Sequence, residues 1–411
     1  MTSVSPSLPP LRLKKNEERR LRAGHAWIYS NEIDTEATPL KAYAPGMQVT
    51  VQDSRGKPLG SAFVNPNTLI AARLYSREAD KPLDQSLLVH RLNIALSLRE
   101  KVFATPHYRL VYGDSDGLPG LVVDRYDDVL VVQIGTAGME KLREQVIAAL
   151  VKVLKPFGIL LRNDASVRAL EGLPEEIAVA HGTVPEQVEL VENGVRFRAP
   201  VRSGQKTGWF YDHRDNRARL MALVAQAART PERAPRVLDV FSYIGGWGVQ
   251  AAVAGAADVL CVDASAPALA LVGENAALND AGGRVRTLEG DAFQAMKSLL
   301  DDGERFDIVV MDPPAFIKRR KDVEQGTIAY RRVNELAMRL LQKDGLLVSG
   351  SCSMHLSRAD LLDVVRATGR QVDRHVQVIA QGGQGADHPV LPAIPETDYL
   401  KAMFARVTPT F

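Results

Sequence analysis

Apolar positions fall into three textures along the chain. Between residue 11 and about residue 77 they form the short runs MQVTVQD, LGSAFV and LIAARLY, parted by turn signals at Pro45-Gly46 and Ser54-Arg55-Gly56. Such spacing predicts a small β-rich module. From about 82 to 200 the pattern is mixed. Leu87, Leu88, Leu92, Ile94, Ala95 and Leu98 recur at helical spacing, so 84–103 predicts a helix. The run GLPGLVVDRYDDVLVVQIG predicts a strand pair turning at Tyr126-Asp127-Asp128, followed by a helix near 139–154; GILLRND and VRFRAPV predict further strands. From about 201 onward, near-continuous apolar strands at 236–241, 258–264, 285–292, 306–314 and 345–353 alternate with helical stretches at 248–254, 266–278, 292–300 and 329–341. That alternation predicts a parallel sheet covered on both faces, with ligands beyond the carboxyl ends of its strands. The expected organisation is multidomain α/β: a β-rich module over 1–80, an α+β domain over 81–200 and a Rossmann-like domain over 201–411.

Asp239, Asp263, Asp291 and Asp312 each close a different predicted strand of the last region. One such Asp is as readily a helix N-cap. Four in a row beside a glycine-rich turn, Asp239-Val-Phe-Ser-Tyr-Ile-Gly245-Gly246-Trp-Gly248, make a ligand edge. The glycines fit neither G-x-G-x-x-G nor G-x-x-x-x-G-K-[ST], which counts against a nicotinamide enzyme or a nucleotide hydrolase. Asp263 follows Asp239 at about the interval at which a carboxylate grips ribose hydroxyls. A nucleoside without phosphates at such an edge suggests S-adenosylmethionine. In Asp312-Pro313-Pro314-Ala315-Phe316 the prolines stiffen the turn and hold Asp312 out of helical geometry. A carboxylate and a ring so presented suit a planar base, with Phe316 stacking on it. The plainer alternative packs Phe316 into the core.

The chain holds two cysteines. Cys261, inside Val-Leu-Cys-Val-Asp, is expected to be a small buried hydrophobe. Cys352 follows the fifth strand in Ser349-Gly-Ser-Cys-Ser-Met-His355, at the edge that carries the acids. Cytosine carbon 5 is a poor nucleophile. A thiolate adding to carbon 6 makes the ring an enamine, whose carbon 5 can attack a methyl sulfonium before the thiol is eliminated. His355 would take the carbon 5 proton or tune the thiol, or else is a surface histidine. No metal-ligand spacing is present.

Hydrophobic residues make up 45% and charged residues 24%, which excludes a mainly disordered, collagenous or coiled-coil chain. With 51 Lys and Arg against 49 Asp and Glu, any nucleic-acid surface must be local. Three basic clusters stand out: Arg12 to Arg22, including Lys14, Lys15, Arg19 and Arg22; Lys318-Arg319-Arg320-Lys321 at the mouth of the base turn; and Arg202, Lys206, Arg214, Arg217 and Arg219. Each alone is an ordinary solvated face. Together, beside a base-sized pocket, they favour a polynucleotide over a free nucleoside. No apolar stretch reaches membrane-spanning length, the first residues lack a signal-peptide core, and two cysteines fit a reducing compartment, so a cytoplasmic protein is expected.

Several runs resemble a known family: Leu13-Lys-Lys, Arg22-Ala-Gly-His-Ala-Trp-Ile-Tyr-Ser30, Gly204-Gln-Lys-Thr-Gly-Trp-Phe-Tyr-Asp-His-Arg-Asp-Asn-Arg217, Phe241-Ser-Tyr-Ile-Gly-Gly246, Asp312-Pro-Pro-Ala-Phe316, Ser351-Cys-Ser353 and His388-Pro-Val-Leu-Pro. They are similar to the ribosomal RNA large subunit methyltransferase I type, which couples a PUA domain to a class I S-adenosylmethionine-dependent RNA cytosine-5 methyltransferase. The resemblance spans nearly the whole chain. It implies a cofactor site of Asp239, Phe241, Ser242, Tyr243, Gly245, Gly246, Asp263, Ala264, Asp291, Ala292 and Asp312. It implies Cys352 and Asp312 as catalytic residues, and RNA contacts from Gln205, Lys206, Thr207, Arg214, Pro313 and Phe316 beside the basic runs. The implied partner is ribosomal RNA or an assembling large subunit, and a homodimer is left open. Many RNA cytosine-5 methyltransferases carry a second cysteine after the double proline; Ala315 stands there instead. The competing functions are methylation of a base nitrogen, such as guanine N7 or adenine N6, and an assembly factor without chemistry.

Overall fold

The computed structural model describes residues 7–205, 207–229 and 231–410. It divides into two compact units that do not follow chain order. One comprises Met1–Val188, Pro200–Tyr211 and Ala386–Thr397; the other comprises Glu189–Ala199, Asp212–Gly385 and Asp398–Phe411.

Within the first unit, strands Pro10–Arg12, Met47–Gln52, Pro58–Val64, Ile70–Ser76 and Trp27–Tyr29 form a five-stranded sheet in that spatial order. Leu11, Val49, Val51, Ala62, Val64 and Ala72 fill its inner face, as the alternation predicts. A second five-stranded sheet runs Glu176–Gly182, Gly158–Asn163, Val129–Ile134, Leu121–Tyr126 and His107–Tyr112. Helices Gln85–Val102 and Arg143–Leu154 bury Leu88, Leu92, Val146 and Leu150 in its core. Phe63 and Tyr75 of the first sheet enter that same cluster.

The second unit is built on seven strands in the order Val285–Glu289, Asp258–Asp263, Arg236–Val240, Phe306–Met311, Leu341–Ser351, Lys401–Pro409 and Arg374–Gly382. The first five are parallel, as expected. The last two are not foreseen by the sequence pattern, and Lys401–Pro409 runs antiparallel to both neighbours. The sheet is therefore mixed rather than wholly parallel. Leu238, Val240, Leu260, Val262, Val309 and Leu347 pack against Met296 and Leu299 of helix Ala292–Asp301 and Val333 and Ala337 of helix Val323–Leu340.

Register aligns the chemistry. Val240 lies opposite Met311, and Met311 lies opposite Ser349, so the residues following three strands emerge at one edge. From Arg236–Val240 the chain winds outward through Asp258–Asp263 and Val285–Glu289, then returns to the other side at Phe306–Met311. The crevice of such a reversal opens between Arg236–Val240 and Phe306–Met311, where this fold class binds ligands.

Candidate active site

The glycine-rich turn folds around a buried carboxylate. Asp239, fully buried, accepts a hydrogen bond from Gly248 N at 2.8 Å through Oδ2. A Cβ on Gly248 would run into Cys261 Sγ and stand 3.1 Å from Asp239 Oδ2, so only glycine lets helix Gly248–Val253 start this close to the sheet. Phe241 and Tyr243 adopt φ of 66° and 50°, strained for residues with a Cβ, and Gly245 adopts 86°. Asp263 braces the turn from the next strand: Oδ2 accepts from Tyr243 N at 2.8 Å and Oδ1 from Ser265 N at 3.0 Å. Gly245 and Gly246 are buried within the turn, Ser242 is buried beneath it, and Ala264 lies exposed beyond Asp263. Asp291 is exposed and caps helix Ala292–Asp301, accepting from Phe293 N and Gln294 N at 3.0 and 3.1 Å; Ala292 is buried.

These residues fit S-adenosylmethionine. Asp239 Oδ1 is buried with no hydrogen-bond partner among the described residues, directly under the turn. Burial, with Asp312 and Asp263 nearby, pushes its carboxyl up to about 7 against the opposing hydrogen bond from Gly248. A cation would relieve that penalty, and half-buried Asp263 keeps lone pairs for ribose hydroxyls.

The thiol edge is organised differently. Asp312 is clamped on both oxygens: His213 Nε2 stands 3.1 Å from Oδ1, and Trp247 Nε1 donates to Oδ2 at 3.0 Å. Asn216 Nδ2 lies 3.0 Å from His213 Nδ1, which favours the tautomer with its proton on Nε2, facing Asp312. Burial works to raise the Asp312 carboxyl, but the His213 and Trp247 contacts outweigh it and hold the carboxyl below its ordinary range. Asp312 is thus an ionised acceptor. A Cβ on Gly350 would stand 3.3 Å from Asp312 Oδ1, so a glycine there keeps the carboxylate accessible.

Cys352 follows one residue after the fifth strand and is half-buried, whereas Cys261 is fully buried with its thiol pushed well up by burial and by Asp239. The Cys352 loop is bolted to the Asp312 loop. Ser353 Oγ accepts from Ile317 N at 3.1 Å and pairs with the Tyr330 hydroxyl at 2.9 Å, and Ser351 Oγ donates to that same hydroxyl at 2.9 Å. Pro313 is buried, and His355 is half-buried. Phe316 packs edge-on against Tyr330 and Phe241, at centroid distances of 4.9 and 6.3 Å, and tilted against Phe293. It forms part of the wall of an aromatic cluster and stays half-buried there, with one part of the ring packed and another exposed.

Two expectations need correction. Arg214 is buried, with its Nε 3.8 Å from Glu192, beside Arg217, which donates to the same carboxylate at 2.6 and 3.0 Å. These arginines neutralise a buried acid within the second unit rather than offering a surface to RNA. Thr207 is buried in the first unit and donates to Asp124 at 2.6 Å. Gln205 is exposed in that unit, and Lys206 lies outside the described residues. Lys318, Arg319, Arg320 and Lys321 are exposed, as are Lys14, Lys15, Arg19 and Arg22. The sequence patterns give no role to His213, Asn216, Trp247, Tyr330 or Lys401; His213 and Asn216, inside the Gly204–Arg217 run, and Trp247, inside the glycine-rich turn, carry some signal, and Tyr330 and Lys401 carry none.

The sheet order, the strained glycine turn and the row of strand-end acids define an S-adenosylmethionine-dependent class I methyltransferase. Models of a PUA-like domain and of an S-adenosylmethionine-dependent methyltransferase match residues 11–77 and 175–372. Proteins named ribosomal RNA large subunit methyltransferase I are 36% identical over 402 residues in Erwinia tasmaniensis (96% of this chain, 98% of that one) and 35% identical over 407 in Vibrio cholerae (97% and 99%). A solved structure from Streptococcus mutans shares the fold at TM-score 0.81 and 20% identity, over 97% of this chain and all of that one. A methyltransferase structure complexed with SAH superposes at TM-score 0.82 and 21% identity, with the same coverage. The chain belongs to the ribosomal RNA large subunit methyltransferase I family. Among the described residues no helix is long and apolar enough to cross a membrane.

Proposed function

We propose that this chain methylates carbon 5 of a cytosine in large-subunit ribosomal RNA, in the cytoplasm, through a covalent adduct with Cys352. The observation that carries the proposal is the half-buried Cys352 thiol, whose loop is hydrogen-bonded to the loop that presents the ionised Asp312. Asp312, an acceptor only, takes a hydrogen bond from the exocyclic amine of cytosine and orients the ring. The Cys352 thiolate forms a bond to carbon 6, and the electron pair moves to carbon 5. S-adenosylmethionine supplies the electrophilic methyl group. The carbon 5 proton then passes to a base, for which we put forward His355, and the carbon 6–sulfur bond breaks to return the thiolate. Ala315 leaves that elimination without a second thiol. Asp239, Asp263 and Asp291, with the Phe241–Gly246 turn, hold the cofactor in this scheme. Residues 1–80 and the exposed Lys318–Lys321 run contact RNA phosphates, 81–200 form a middle domain, and 201–411 carry the chemistry.

The test is mass spectrometry of large-subunit ribosomal RNA nucleosides from cells with and without the protein. Loss of 5-methylcytidine at one position supports the proposal. Loss of a nitrogen-methylated base, or of nothing, overturns it.

A further inference from the structure

Lys401 is 4% exposed, yet the mechanism above gives it no task. Lysines are almost never so buried unless paired with an acid. Here both hydrogen-bond acceptors are neutral carbonyls: Nζ donates to Ser353 O at 2.6 Å and to Tyr399 O at 2.8 Å. An ammonium has three N–H groups, so one remains. Ser353 directly follows Cys352, and Lys401 lies opposite Ser351 in the antiparallel ladder. The strand Lys401–Pro409 thus delivers a buried positive charge to the peptide that carries the thiol.

We propose that the Lys401 ammonium is a positioning residue that holds Cys352 as its thiolate. The proposal deepens the covalent reading above and rests on it. Burial of an ammonium with no carboxylate in salt-bridge contact, close enough to Cys352 for the two groups to act on each other, favours the arrangement in which the thiol gives up its proton and its negative charge offsets that of the lysine. The two groups act on each other electrostatically: burial lowers the Lys401 value to about 8, partly offset by Cys352, which leaves it largely protonated at neutral pH. The other charged groups acting on Lys401 are Asp398, Asp360 and Arg358, while the Tyr330 hydroxyl, pushed up by burial, faces the cysteine from helix Val323–Leu340. Tyr330 stays neutral over the working range, and His355 lies in the same loop. None of these supplies a buried cation on the thiol side; Lys401 does.

The test measures the alkylation rate of Cys352 by iodoacetamide against pH in the full-length protein, with the modified peptide located by mass spectrometry. Fully buried Cys261 serves as an internal control. The wild-type thiol should titrate at least about one unit below the ordinary value of about 8.5. Lys401→Met should return it to that value or above, and Lys401→Arg should restore most of the depression. A wild-type value at or above about 8.5 overturns the proposal without any variant, so a misfolded substitution does not shield it. An unchanged profile in Lys401→Met that still binds S-adenosylhomocysteine also overturns it. Failure of the covalent reading looks different: Cys352→Ser would then still methylate RNA, whatever the thiol titration shows.

Discussion

Asp239, on strand Arg236–Val240, and Asp312, directly after the adjacent parallel strand Phe306–Met311, face the same edge of one sheet, yet their surroundings drive them in opposite directions. Asp239 is sealed under the glycine turn with only neutral donors on Oδ2, the Gly248 amide and, at 4.0 Å, the Cys261 thiol, and burial lifts its carboxyl to about 7. Asp312 also feels burial, but a histidine and an indole N–H hold it ionised. The difference separates a carboxyl waiting for a cation from a carboxylate ready to accept a hydrogen bond. It also separates the two walls of the crevice: a strained, tightly packed glycine turn and a thiol edge cross-linked by serine and tyrosine hydroxyls.

The thiol wall carries the largest expected effect. Cys352→Ala should reduce methyl transfer by at least about 1,000-fold in a tritiated-methyl assay while S-adenosylhomocysteine binding by calorimetry stays within twofold, because covalent activation is lost and the turn is untouched. His213→Ala should cost about 100-fold and move the acid limb of the pH–rate profile upward, since burial then acts on Asp312 without the imidazole beside it. A profile that keeps its acid limb would remove His213 from the account. On the other wall, Asp263→Ala should weaken cofactor binding about 10- to 100-fold through removal of a charged hydrogen bond of ~1.5–3 kcal/mol, with no change in thiol reactivity.

The sign of the Asp239 effect is fixed by its raised value. The folded chain keeps this proton up to about pH 7, whereas the unfolded chain releases it near 3.8. Its contribution to stability is therefore fully present below the lower value and is lost as pH rises through the upper one. Asp239→Asn should flatten the decline of Tm across that window, and a decline identical to wild type would contradict the assignment. The smallest effect is at the rim. Neutralising Lys318–Lys321 should weaken RNA binding on every sequence and make its salt dependence shallower by roughly one unit of slope for each phosphate that no longer meets a cation.

What the chain discloses in advance follows from where its information is local. Four of the parallel strands, Arg236–Val240, Asp258–Asp263, Phe306–Met311 and Leu341–Ser351, were legible because they are largely buried and read as apolar runs leading to an acid or the thiol, whereas the edge strand Val285–Glu289 is half-buried to exposed and was legible from its place in the alternation. The two outer strands were not. Arg374–Gly382 alternates half-buried and exposed residues, and its partner Lys401–Pro409 begins with a lysine that only tertiary structure explains. The acid row was visible, but the unequal fates of its members were not, because the deciding partners come from elsewhere: His213 ahead of helix Arg214–Ala227, and Trp247 inside the turn. Arg214 misled for the same reason. A basic run looks like a surface until Glu192, contributed from the strand Gln187–Glu192, is placed against it.

The most direct test of the covalent account uses 5-fluorocytidine-substituted ribosomal RNA and S-adenosylmethionine. Fluorine cannot leave carbon 5 as a proton does, so elimination of the thiol stalls. The account predicts a denaturation-resistant protein–RNA complex whose cross-linked peptide maps to Cys352 and which the Cys352→Ala protein does not form. A complex mapped to another residue, or full turnover with no complex, would contradict it.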